Sequence, residues 1–520
     1  MRVCSMAQRV CRTIAGVGHR IGRQPAGFAS ALGSFLGVAL LGAAGCGNQY
    51  RPVVTPIQPT GPSALPSAYI TAISQPDFQP LSAGTTGPCQ SITYATPSVI
   101  TLVNFSGDSI VAQANGGNGP LTFSLESGGA NVYAPNCDGT LTTVASTATS
   151  LQTKNVQNST LLPGSQPTNT LLANGNLYVT EAGLHGPSCL VTNCVAQMTG
   201  TSVGVQSLKQ EIPVAPSLIN LTGYSAGQRI YAISQGNSSG GTQPAWGDCA
   251  NPSAVGVDGE ADAIETTTNT ISAHLPLGVC PVYGFMTPDT NRTFIMNRGS
   301  GTVTVINSQL NAIDTLHPTI CLNTGGCPST GGAVAGPVYA DYYRNGQLLV
   351  TSNYDSNTIT IIDVSLDVYG NDSATFGKVL ATVPVGLHPV EVTVLQDGSR
   401  VYVANQGDLA AGMCNGVPCV PGSISVVSLT NYTVEKTIPL TSNPHAIASI
   451  YNYPIGKVYV ASQNSPYLTV IRTDTDIVSA TPEMQGNIVE MRVNSQYPAQ
   501  ATAGSLNYRT ESRSVGSGAP

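Results

Sequence analysis

Apolar and polar residues alternate with period two in a series of short runs: TVTVIN at Thr302–Asn307, TITIID at Thr358–Asp363, SISVVS at Ser423–Ser428 and LTVIRT at Leu468–Thr473. Alternation of this kind puts successive side chains on opposite faces of a β-strand, and the β-branched content fits a pleated, packed surface. Each run follows a second short strand phrase, such as VYVAN at Val401–Asn405. A third phrase closes the unit, such as KTIPL at Lys436–Leu440 or LATVPVG at Leu380–Gly386. The stretch from Val401 to Leu440 is the clearest copy of this unit.

Aligned on the tyrosine of VYVAN, the unit recurs at Ile110, Tyr178, Tyr231, Phe294, Leu349, Tyr402 and Tyr459, with spacings of 68, 53, 63, 55, 53 and 57 residues. A proline stands 11 to 15 residues ahead of each position: Pro97, Pro167, Pro216, Pro281, Pro337, Pro389 and Pro444. Proline cannot donate to a β-ladder and belongs at the first residue of a strand. An innermost strand is therefore expected just after each proline, as at Val390–Leu395. Four antiparallel strands repeated seven times predict an all-β, seven-bladed β-propeller of four-stranded blades. Tyr69–Ser74 and Asn487–Val493 both read as strands able to close the ring, and the choice between them is open.

LYVTE, VYVAN and VYVAS, with TITIID and VPVGLHP at Val383–Pro389, resemble the YVTN-repeat β-propellers of exported bacterial and archaeal proteins. The resemblance is tight from about Thr293 to Asp476 and looser before it. Ile110 and Gln113 depart from the signature. It implies a rigid propeller outside the cytoplasm and does not specify a ligand.

Composition changes the picture at the ends of the chain. The first 45 residues hold five arginines and no acid, followed by an apolar run at Phe28–Ala44, which reads as an export signal. Leu41–Cys46 resembles a bacterial lipobox with lipidation at Cys46, the alternative being ordinary cleavage near Ala44. Gly47, where Asp would favour inner-membrane retention, points by resemblance to the outer membrane. The expected organisation is signal peptide 1–45, Pro-rich linker 46–66, propeller 67–498 and disordered tail 499–520. Without the leader's five arginines the 20 basic residues fall to 15 against 27 acidic ones, a balance that disfavours nucleic acid as a partner.

Ten cysteines follow Cys46, an even number in an exported chain, and favour disulfides. Cys189/Cys194, Cys321/Cys327 and Cys414/Cys419 are close enough for local staples. Cys89 with Cys137 and Cys249 with Cys280 remain by elimination. Loops between the second and third strands share one face with the crossings between blades. Cys137, Cys189, Cys194, Cys249, Cys414 and Cys419 are expected in the former, and Cys89, Cys280, Cys321 and Cys327 in the latter. The insertions Ala114–Gly139, Ala182–Gly200, Gln235–Ala261 and Gln406–Gly422 are expected on that same face, where binding tends to reside.

Residues just after the marker prolines should ring the channel mouth. Among them only Glu391 and His445 offer acid–base chemistry, with His388 nearby and no third orienting group, so no catalytic residue is assigned. Tyr283, Tyr339, His388, Glu391, His445 and the lone tryptophan, Trp246, are the candidate binding residues. No cofactor or metal is expected, since neither C-x-x-C pairs nor C-x-x-C-H occur. The reading is a lipid-anchored binding or assembly scaffold of the cell envelope for a protein, glycan or small molecule. The alternative is a lactonase-like hydrolase centred on Glu391 and His445.

Overall fold

The computed structural model describes residues 69–494, apart from 77–88, 90–94, 126–130, 148–149, 152–156, 200–205, 225–226, 328–333, 410–411, 415–416 and 451–455. The leader, the lipobox with Cys46, the linker and the C-terminal tail lie outside the described residues.

Eight antiparallel sheets form the ring, one more than the sequence predicts. Blades 3 to 8 are the six later repeat units. Their innermost strands are Pro167–Ala173, Leu218–Gly223, Pro281–Met286, Pro337–Tyr343, Pro389–Val394 and Pro444–Ile450, so five marker prolines open a strand and Pro216 stands two residues before one. In these blades Tyr178, Tyr231, Phe294, Leu349, Tyr402 and Tyr459 all lie on the second strand.

The first unit is where the sequence reading fails. Ile110 opens the outermost strand of blade 1, Ile110–Asn115, and Pro97 precedes the third strand, Val99–Asn104. Between Ile110 and Tyr178 lies a complete further blade: Ser124–Leu125, Asn131–Pro135, Thr140–Thr147 and Gln157–Thr160. Ala114–Gly139 is therefore not one loop, because it spans the crossing into blade 2 and that blade's first two strands.

Both terminal candidates close the ring, by pairing with each other. Asn487–Asn494 is the innermost strand of blade 1 and lies antiparallel to Tyr69–Gln75, with Tyr69 opposite Asn494. Innermost strands of consecutive blades then contact one another all the way round.

The tyrosine phrase has two physical roles. First, its asparagine clamps the second strand to the third. Asn297 Nδ2 donates to Thr302 and Thr304 (3.1 and 2.8 Å), Asn353 to Thr358 and Thr360 (3.0 and 2.8 Å), and Asn405 to Ser423 and Ser425 (3.2 and 2.9 Å). Asn136 makes the same pair of bonds to Thr140 and Thr142 (3.1 and 2.9 Å), so VYAPN at Val132–Asn136 is the missed copy.

Second, the tyrosine latches one blade to the next. Tyr178, Tyr402 and Tyr459 are fully buried, and their hydroxyls donate to Asn269, Asp476 and Asp108 respectively. Each acceptor is a left-handed residue (φ 56°, 51° and 51°) in a hairpin of the following blade, a conformation that Asn and Asp tolerate better than most. A basic residue two positions earlier reinforces two of the latches: Arg400 Nη1 lies 2.6 Å from Asp476, and Lys457 Nζ 2.8 Å from Asp108. Burial raises the Tyr178 phenol to about 12 and also raises Tyr402 and Tyr459, so all three stay protonated donors.

Tyr402→Phe should lower stability by about 1.5–3 kcal/mol, the worth of a hydrogen bond to a charged group. Asp108→Ala should cost about 3 kcal/mol or more, because it strands Lys457 and Tyr459 at the closure. Equilibrium denaturation of both variants checks the ordering.

Candidate functional site

The strand order sends the loops between second and third strands, and the crossings between blades, to one face. All ten cysteines of the body fall in or beside such segments and form the five expected pairs: Cys89–Cys137, Cys189–Cys194, Cys249–Cys280, Cys321–Cys327 and Cys414–Cys419. Cys89 differs in one respect from expectation. It lies between the second and third strands of blade 1, not in a crossing, which leaves it on the same face. The equivalent loops at Arg298–Gly301 and 354–357 are short.

Two of the staples carry exposed apolar side chains. Leu190 and Val191 stand inside the Cys189–Cys194 loop, and Met413 and Val417 inside or beside the Cys414–Cys419 loop, all more than half exposed. A polar and aromatic chain crosses the same face. Arg298 donates to the Cys249 carbonyl (3.1 Å) and pairs with both oxygens of Asp355 (3.0 and 2.9 Å). Its guanidinium lies 5.0 Å from the Tyr354 ring centre, and Tyr354 stacks on His388 at 4.3 Å and 12°. His388 is thus held between blades, with its backbone N–H on Asn357 (2.8 Å) and a left-handed φ of 53° leading into Pro389.

The channel-side candidates are brought together in part. Tyr283 and Tyr339 occupy equivalent positions on the innermost strands of blades 5 and 6 and stack at 4.4 Å. Glu391 follows on blade 7, but its Oε2 accepts the Ile447 N–H of blade 8 (3.0 Å). His445 is fully buried and its Nε2 donates to the Val489 carbonyl of blade 1 (3.1 Å). Asp341, which lies further along its strand than the positions considered from sequence, accepts N–H groups of Val394 (2.7 Å) and Tyr342 (2.8 Å). Burial raises Asp341 to about 6 against the lowering effect of those bonds, with Glu391 adding to the rise. Burial also raises both tyrosines, and at Tyr339 the neighbouring Tyr283, Glu391 and Asp341 add to the rise. These channel carboxylates bind blade to blade through backbone N–H groups. Trp246 is buried and belongs to an apolar cluster that joins blade 4 residues such as Ile233 and Leu275 with Ala182 of blade 3 and Met286 of blade 5.

Two clusters escaped the sequence reading, and both sit where the Asn–Thr clamp is replaced. In blade 3 the clamp asparagine is Glu181, and the hydroxyl positions opposite are Cys194 and Ala196. Glu181 lies 3.2 Å from His185 Nε2, which also contacts Glu211 Oε1 at 2.8 Å. Burial alone would depress His185, yet its ion-pair contacts with Glu181 and Glu211 and its bond to the Gly183 carbonyl raise it to about 9; burial raises Glu181. In blade 4 the hydroxyl positions are Glu260 and Asp262, both contacting His274 Nδ1 (3.0 and 2.5 Å). Burial raises Asp262 to about 6 despite the Ala215 N–H it accepts. The departure from the repeat, YVTE where four other blades have Asn, was the available signal.

With this geometry in hand, the class is an all-β propeller, and its five disulfides mark it as extracytoplasmic. Among the described residues no helix is long and apolar enough to cross a membrane. The chain is similar in fold to apo AztD from Citrobacter koseri (TM-score 0.50, 12% identity, 82% of this chain and 98% of that one). It is also similar to the dihydro-heme d1 dehydrogenase NirN solved with DHE (0.51, 11%, 86% and 77%), and to Sqt1 of Saccharomyces cerevisiae (0.50, 8%, 72% and 87%). At these identities the likeness is one of fold. No family model matches the chain, and neither does any curated protein.

Burial holds His388 below its ordinary 6.5, opposed by the Gly407 carbonyl. The unfolded chain therefore takes up the proton first, and the stability that neutral His388 confers is full above about pH 6.5 and lost as pH falls below it. His388→Asn, which tolerates the left-handed φ, should flatten the decline in Tm between about pH 7 and about pH 5. An unchanged slope would show that His388 does not titrate in that window.

Proposed function

We propose that the protein is an exported, lipid-anchored β-propeller of the cell envelope that binds a partner on its disulfide-stapled face. One observation carries the reading: the disulfides, the extended loops and the Arg298–Tyr354–His388 chain all belong to the same face of the ring. Loops held rigid while presenting Leu190, Val191, Met413 and Val417 lose little entropy on contact, which favours recognition. A protein, a glycan or a small ligand would satisfy this chemistry, and exposed apolar tips favour a protein. The YVTN-repeat likeness and the lipobox at Cys46 support export and anchoring, with the outer membrane preferred.

The hydrolase reading has less support. Glu391 and His445 each engage the backbone of a neighbouring blade, so neither is presented together with the other to a substrate.

A photo-reactive residue placed at Val191 or Val417 should give a discrete adduct on intact producing cells, whereas one at Tyr369, in the long loop on the opposite face, should give none. Equal labelling from both faces would contradict the reading. Independently, Cys46→Ser should move the protein from the membrane fraction to the soluble fraction. Retention in the membrane would overturn the anchor.

A further inference from the structure

The Glu181 cluster has features that a structural role does not explain. Four blades place an asparagine at this position, where its amide donates to hydroxyls on the next strand. A carboxylate cannot donate, and in blade 3 the hydroxyls are gone as well. The Glu181 side chain is completely buried; Oε2 lies 3.2 Å from His185 Nε2, but neither oxygen accepts a hydrogen bond within normal geometry. Buried carboxylate oxygens left in this state call for a bound ion or water.

The surroundings are built to aim the donors. His185 directs Nδ1 at the Gly183 carbonyl (2.9 Å), so that Nδ1 keeps its proton when a cation displaces the one on Nε2, which faces both Glu181 and Glu211. Orientation of a histidine by a backbone carbonyl on its other nitrogen is the usual support for a metal-binding imidazole. Gly183 is required at its position, because a Cβ there would meet the Gly164 carbonyl oxygen at 1.9 Å. The His185 N–H is fixed on the Cys189 carbonyl (2.9 Å) at the base of the Cys189–Cys194 staple. The sulfur of Cys189 is near, but its place in the disulfide removes it as a thiolate ligand.

We infer that Glu181, His185 and Glu211 form a binding site for a divalent cation of the zinc kind. One imidazole nitrogen and two carboxylates are a donor set suited to Zn²⁺, which commonly takes three protein ligands and keeps a fourth position open. A doubly charged cation neutralises the two carboxylates and gives the Glu181 oxygens the direct ligand contact that their hydrogen-bond geometry lacks. The inference does not depend on the binding role of the stapled face.

The test is a calorimetric titration of chelator-stripped, exported full-length protein with Zn²⁺, with Mg²⁺ and Ca²⁺ as comparisons. One equivalent of Zn²⁺ should bind, at least tenfold more tightly than either comparison ion. Glu181→Gln and His185→Gln should each weaken it at least tenfold, while Glu435→Gln, at an exposed position on the outermost strand of blade 7, leaves it unchanged. X-ray absorption on the wild-type zinc complex should show nitrogen and oxygen ligands without sulfur, which keeps the inference testable if a variant fails to fold. No stoichiometric binding, binding indifferent to Glu181→Gln, binding lost in His274→Gln instead, or a sulfur-ligated spectrum would each overturn it.

Discussion

Everything in this molecule depends on the antiparallel pairing of Tyr69–Gln75 with Asn487–Asn494. A propeller blade is apolar on both broad faces, because each packs against a neighbour. The second strands are buried along nearly their whole length, as at Arg400–Asn405 and Lys457–Ser462. An open ring would leave two such faces in water, at about 25 cal/mol for each Å² of apolar surface. By placing the last strand innermost in the first blade, the fold removes both open faces at once. The Asp108 latch to Lys457 and Tyr459 fastens the opposite edge of the same junction.

The same tyrosine and asparagine that fasten the blades are what made most of the fold visible in the sequence. They recur because neighbouring blades share the same fastenings, an asparagine clamp to the third strand in four blades and a tyrosine latch to the next blade in three. Where the requirement was met by an unusual phrase, recognition failed. In VYAPN the proline at the end of a short strand concealed the repeat, and SIVAQ, with no clamp residue, took its place. Blade 1 could not be recognised as a unit at all, since its strands lie at opposite ends of the chain. The local disulfides followed from spacing; the four cysteines left over can pair in three ways, of which the structure has Cys89–Cys137 with Cys249–Cys280.

Chemistry was harder to see than architecture, for a physical reason. Glu391 and His445 looked available because sequence places them beside the channel, but sequence does not show which backbone groups they satisfy. The clusters at His185 and His274 draw residues from several strands, brought together by register and not by spacing. Their trace in the sequence is a departure: Glu181 where a clamp asparagine belongs, and Glu260 with Asp262 where hydroxyls belong. In a repeat protein, a position that abandons the shared structural role is free to acquire another, and both departures occur in adjacent blades beneath the stapled face.

Native-state hydrogen exchange of the exported protein tests the closed eight-bladed ring most directly. The account predicts that amides of Asn487–Asn494 exchange as slowly as those of the innermost strands Pro389–Val394 and Pro444–Ile450, and that Tyr69–Gln75 shares their protection. Rapid exchange of Asn487–Asn494 while the other innermost strands stay protected would contradict it, because the ring would then be closed by some other means.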